Sequence, residues 1–159
     1  SLADPPPGTE RTTVIVRRFV LPRAVREAIV DHARHDLPIE CCGLLLGLGT
    51  RIIAAVPMRN VLASPTRFRI DDQAHISLRR AIRGAVPPVE LIGAYHSHPA
   101  GPARPSPYDI VEAHYAEWLH IIVGLTGGRP RLRGFALTVD RSRMRPVRLG
   151  LNDEGTSGG

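Results

Sequence analysis

No apolar run in this sequence is longer than about seven residues, the longest being Cys41–Leu46 and Leu119–Leu125. A membrane-spanning helix needs roughly 20 apolar residues, so these runs suit short buried strands, and a soluble protein is expected. The chain has 159 residues, 43% of them apolar, which is enough for one globular domain with a real core. A single active site is expected with it.

Residues 1–11 are rich in Pro and polar groups and read as a flexible lead-in, and 152–159 (NDEGTSGG) read as a flexible tail, leaving a domain over 12–151. Thr12–Val20 is β-branched enough for a strand. Pro22 then opens a helical stretch in which Val25, Ile29 and Ala33 share a face, and Pro38 marks its end. Glu40–Gly47 and Arg51–Met58 predict a buried strand pair joined by a tight turn, with a third strand over Arg67–Ile70. Asp71 is a plausible N-cap for a second helix carrying Ala74, Leu78 and Ile82, and the strand Val89–His96 follows. Beyond a Pro-rich loop, Ser106–Tyr115 reads as a short helix, and strands are expected at Trp118–Leu125, Leu132–Val139 and Met144–Leu151. Helices and strands alternate at first and strands dominate the end, which predicts an α+β class with a mixed sheet.

The formal net charge is +6, and all 21 basic residues are arginine. Such a surface favours an acidic protein, a nucleic acid or a membrane surface as partner. The arginines are spread along the chain, however, and few aromatics are available for base stacking, so a nucleic-acid partner is not expected. Cys41 and Cys42, the only cysteines, are vicinal and would point to opposite faces of a strand, so they read as reduced core thiols. With no basic segment leading into a long apolar one, a cytoplasmic location is expected.

The segment with the most chemical content is Ala94–Ile110, AYHSHPAGPARPSPYDI. At a strand end His96 and His98 share one face and can converge on one metal ion. Two imidazoles and a carboxylate are a common protein set for catalytic zinc, because a fourth position stays open for water, and Asp109 is the nearest downstream carboxylate. A different reading needs no metal: Ser106, Pro107 and Asp109 also match N-cap, N1 and N3 of a helix.

Taken together, His-Ser-His-Pro, six residues, Ser, two residues and Asp resembles the signature of the JAMM (MPN-plus) metallopeptidases at every fixed position. ECCGLLLG, headed by Glu40, resembles the upstream strand on which that family carries its catalytic glutamate. The resemblance spans about residues 14–140 and implies a curved mixed β-sheet flanked by helices, related to the cytidine-deaminase-like architecture. It implies Zn2+ held by His96, His98 and Asp109, Glu40 as the base acting on water, and Ser106 as a donor to the oxyanion.

Members of that family include isopeptidases that remove ubiquitin-like proteins and prokaryotic relatives that trim sulfur-carrier proteins. This chain resembles the compact prokaryotic form, since little space separates Glu40 from His96 for an inserted segment. The resemblance therefore implies hydrolysis of an amide bond after the C-terminal Gly-Gly of a ubiquitin-like or sulfur-carrier protein. A zinc amidohydrolase acting on a small amide and a catalytically silent scaffold are the alternatives, and the second would lack the His or Asp residues that this sequence retains.

Overall fold

The computed structural model describes residues 17–151. Both the lead-in over 1–11 and the tail over 152–159 lie outside this range, as does the expected strand before Arg17. Seven strands and three helices follow in the order β1 (Arg18–Val20), α1 (Arg23–His35), β2 (Cys42–Leu48), β3 (Arg51–Met58), α2 (Asp72–Ile82), β4 (Glu90–His98), α3 (Pro107–Glu112), β5 (Leu119–Gly124), β6 (Arg131–Leu137) and β7 (Met144–Gly150). Among the described residues no helix is long and apolar enough to cross a membrane.

The sheet is mixed, as the element pattern predicts, and it curves until it closes. Its order is β1-β3-β2-β4-β5-β6-β7, with short β1 paired in parallel to β7 and so completing the barrel. β4 is central, antiparallel to β2 and parallel to β5, with His96 opposite Cys42 on one side and Ile122 on the other. Gly93 makes the β4–β5 approach possible, because a Cβ there would run into the Leu119 backbone carbonyl. Gly43 on β2 similarly leaves room for the Tyr95 ring.

Strand alternation divides the core. Cys41, Leu45, Tyr95 and Ile121 belong to the cluster that includes Ile29 and Ala33 of α1. Cys42, Leu44 and Ala94 pack in another cluster with Ala74 and Leu78 of α2. Vicinal Cys41 and Cys42 thus point to opposite faces, both free and buried. Each large aliphatic side chain fully buried in this way contributes about 1.5–3 kcal/mol.

Helix α1 follows Pro22 as N-cap and buries Val25, Ile29 and Ala33. α2 is capped by the Asp71 carboxylate, which accepts from the Gln73 N–H, yet it has no fully buried residue and lies on the outside of the sheet.

Two expectations are corrected. Arg67–Ile70 forms no strand; only an isolated bridge joins Asn60 to Ile70, because this segment is tied to Asn60 by side-chain bonds instead of a ladder. α3 stops at Glu112, well before Tyr115. On α1, His32 shares a 2.7 Å hydrogen bond with the Tyr95 hydroxyl and is mostly covered.

Candidate metal centre

The exit of β4 fixes the first two groups. His96 and His98 leave the same face of the strand, and their Nε2 atoms are 3.1 Å apart. The Nδ1 of His98 is 2.8 Å from the carbonyl oxygen of Pro102, which can only accept, so Nδ1 donates there and Nε2 is the ring nitrogen directed at the site. Asp109, in the first turn of α3, brings Oδ1 to 3.1 Å from His96 Nε2 and Oδ2 to 3.1 Å from His98 Nε2.

The two Nε2 atoms are thus 3.1 Å apart, and each lies 3.1 Å from its own oxygen of the Asp109 carboxylate. Tetrahedral zinc with bonds of about 2.0–2.1 Å would require donor separations of about 3.3 Å, so the residues fit such an ion with little movement. Glu40 joins them: the four ligating atoms all lie within 4.8 Å of one another. Its carboxylate oxygen Oε1 is buried and has no hydrogen-bond partner among the described residues, which suits a group that meets a water or a cation. The centre can hold a metal ion.

Glu40 is placed by its backbone. Its N–H donates to the Ser64 carbonyl at 2.9 Å, and its own carbonyl accepts from Asn60 Nδ2 at 3.0 Å. The next amide, Cys41 N–H, donates to Ser97 Oγ at 2.8 Å. The serine between the two histidines thus ties the start of β2 to the end of β4.

Ser106 stands where the capping reading expects it. Its Oγ accepts from Asp109 N–H at 3.2 Å, and its own N–H donates to Asp109 Oδ2 at 2.8 Å, a complete capping box. The box also orients the carboxylate toward the histidines, so the helix-cap and metal readings describe one arrangement.

Burial controls the electrostatics. It pushes the Glu40 carboxyl up to about 8, with nearby His98 lowering it and Asp109 raising it. For Asp109, burial raises the carboxyl, but hydrogen bonds from His96 and His98 overcome this and hold it well below the usual range. His96 is depressed by burial, whereas at His98 burial is outweighed by the Asp109 and Pro102 hydrogen bonds and the imidazole is raised.

Several residues near the centre carry no motif and escape a reading by sequence. Phe68 stacks on His96, and Arg67 reaches across to α3, pairing with Glu112 at 3.0 Å and lying over the Tyr108 ring. Trp118 is half-buried, packs against the cluster of Cys42, Leu44 and Ala94 and stacks on Tyr115. Together with Phe68, His96, Asp109 and buried His120 they line a cleft of about 370 Å³. On the other side of the centre, Glu40, His98 and Ser106 face an open groove of about 550 Å³.

Known proteins agree with this architecture. Residues 22–137 match the family described as prokaryotic homologs of the JAB domain. The chain is 40% identical over 97 residues to the CysO-cysteine peptidase of Mycobacterium tuberculosis, covering 55% of this chain and 64% of that protein. It thus spans about two thirds of the length of that relative. A second relative, described as a probable TtuB-protein conjugate cleaving protease of Thermus thermophilus, is 34% identical over 110 residues, covering 69% of this chain and 72% of that protein. A protein of Desulfitobacterium hafniense with a solution structure superposes with a TM-score of 0.72 at 29% identity, over 87% of this chain and 97% of its own. The chain belongs to the family of prokaryotic homologs of the JAB domain.

Proposed function

We propose that this chain is a zinc-dependent amide hydrolase that cuts the bond after the C-terminal Gly-Gly of a ubiquitin-like or sulfur-carrier protein. The observation that carries the reading is the convergence of His96, His98 and Asp109 with the unpartnered Glu40 carboxylate beside them. The relatives support the substrate class, one being a peptidase named for CysO-cysteine and the other a protease named for TtuB-protein conjugates.

His96, His98 and Asp109 would hold the zinc, which when bound polarises water and the scissile carbonyl. Glu40 takes a proton from water as the water oxygen attacks the glycine carbonyl carbon. It returns that proton to the departing nitrogen as the C–N bond breaks, giving an amine and a carboxylic acid whose own proton passes to the amine, so that the products are a carboxylate and an ammonium. A carboxyl that burial moves toward neutrality is suited to both transfers. Ser106 Oγ, at the start of α3, donates a hydrogen bond to the carbonyl oxygen as charge develops there.

Extended glycine backbone can lie close to a sheet edge, since no side chain keeps it away. The net charge of +6 favours an acidic carrier. The unpaired buried thiols suit a reducing compartment, and we place the activity in the cytoplasm.

The test uses the zinc-loaded chain and a ubiquitin-fold carrier whose Gly-Gly is extended by one residue or joined to a lysine, with products followed by mass spectrometry. Release at the bond after Gly-Gly, abolished by a chelator, is the expected result. Cleavage indifferent to the two glycines, or seen only with small amides, would overturn the substrate assignment.

A further inference from the structure

We propose that Arg104 reads a free α-carboxylate on the leaving residue, so that the groove beside Glu40 is built to release a single amino acid from the carrier tail. The inference rests on the amide-hydrolase reading above and names which amine leaves.

Glu40 and Ser106 both line the groove, whereas the cleft across the centre is lined by His96 and Asp109. The departing nitrogen must receive its proton from Glu40, so the leaving group departs on the Glu40 side. Arg104 borders that same groove, two residues from Ser106. Among the described residues lining it, Arg104 alone bears a permanent positive charge, and Glu40 is the only acidic one.

Arg104 is exposed, and among the described residues its guanidinium has no hydrogen bond or ion pair; only its backbone N–H is used, donating to Pro102 at 2.8 Å. The loop beneath it is fixed. Ala103 is buried, Gly124 makes room for it, and prolines flank the pair at 102 and 105. On its other side Arg104 borders a depression shared with Arg131 and Arg133. Like charge there favours the groove as the place where this guanidinium meets an anion.

In an α-amino acid the carboxylate is only two bonds beyond the nitrogen being released. It would therefore enter the groove that Ser106 and Arg104 both line, and a guanidinium binds a carboxylate through two parallel hydrogen bonds. A lysine side chain leaving from a protein carries no carboxylate at that distance.

The experiment compares a Gly-Gly carrier extended by one alanine, as the free acid and as the C-terminal amide, on the zinc-loaded full chain. The wild-type enzyme is expected to prefer the acid, and Arg104→Ala to reduce the acid-over-amide ratio of kcat/KM by about tenfold through KM, with Arg104→Lys restoring part of it. Calorimetric binding of the two uncleaved carriers to Glu40→Gln protein, with and without Arg104→Ala, gives the same comparison without turnover. An acid-over-amide ratio unchanged by Arg104→Ala overturns the inference and leaves the hydrolase reading standing. A ratio lost only on replacing Arg131 and Arg133 also overturns it and assigns the charge to an acidic protein surface. Absence of cleavage of either carrier, with no difference in binding, overturns both.

Discussion

Phe68 lies nearly flat on His96, with ring centroids 4.3 Å apart and planes 20° from parallel. The aromatic ring covers one face of an imidazole whose Nε2 lies against Asp109 and His98. Removing it in Phe68→Ala is expected to loosen the ring and weaken zinc affinity by about tenfold, within the range seen for supporting residues. Competition with a chelator measures this, and unaltered affinity would show that the stack is mere packing.

Asn60 is the hinge pin of the segment that carries Phe68. Its amide donates to the carbonyls of Glu40 and Arg67 and accepts from the N–H groups of Leu62 and Arg69, at 2.9–3.1 Å. Asn60→Ala strands buried backbone groups at both ends and is expected to cost about 2–4 kcal/mol. Denaturant unfolding of the metal-free protein reads this directly, and a loss below about 0.5 kcal/mol would mean that the backbone finds other partners.

Ser106 has two duties that can be separated. Ser106→Ala removes the N-cap acceptor for Asp109 N–H and should cost about 1 kcal/mol of stability. Ser106→Asp keeps a capping oxygen but has no hydroxyl to donate. Turnover lost in both variants, with stability retained only in the second, is the expected pattern; recovery of turnover by aspartate would reduce Ser106 to a cap.

His120 gives the fold an acid-sensitive point. Burial lowers its imidazole to about 4 from 6.5, with His96 lowering it further and Asp109 opposing. Its folded-state pKa lies below the unfolded one, so its contribution is complete above about pH 6.5 and is lost as pH falls toward 4. Within that window it should remove about 1.4 kcal/mol per pH unit. His120→Phe is expected to flatten the stability profile between those values, and an unchanged profile would assign the acid sensitivity elsewhere.

The strands, the two long helices and the site were legible because each has a local signature. Strand-end periodicity aligns His96 with His98, and the Ser-x-x-Asp cap places Asp109 one turn into α3. Glu40 was legible only through the resemblance of its strand, since a carboxylate before an apolar run is ordinary by itself. Closure of the sheet was not legible, because it depends on the three residues of β1 finding β7, more than a hundred positions away. Nor was the 60–70 segment: its β-like composition at Arg67–Ile70 is overridden by Asn60, a side chain that supplies hydrogen bonds a neighbouring strand would otherwise make.

In the proposed reaction Glu40 moves the proton while His96, His98 and Asp109 hold the zinc. Glu40→Gln tests this in one preparation, by zinc content and by single-turnover cleavage of the extended Gly-Gly carrier. About one zinc per chain is expected, with cleavage slowed by about 10²- to 10⁴-fold. Full cleavage at normal zinc content, or loss of the zinc itself, would contradict it.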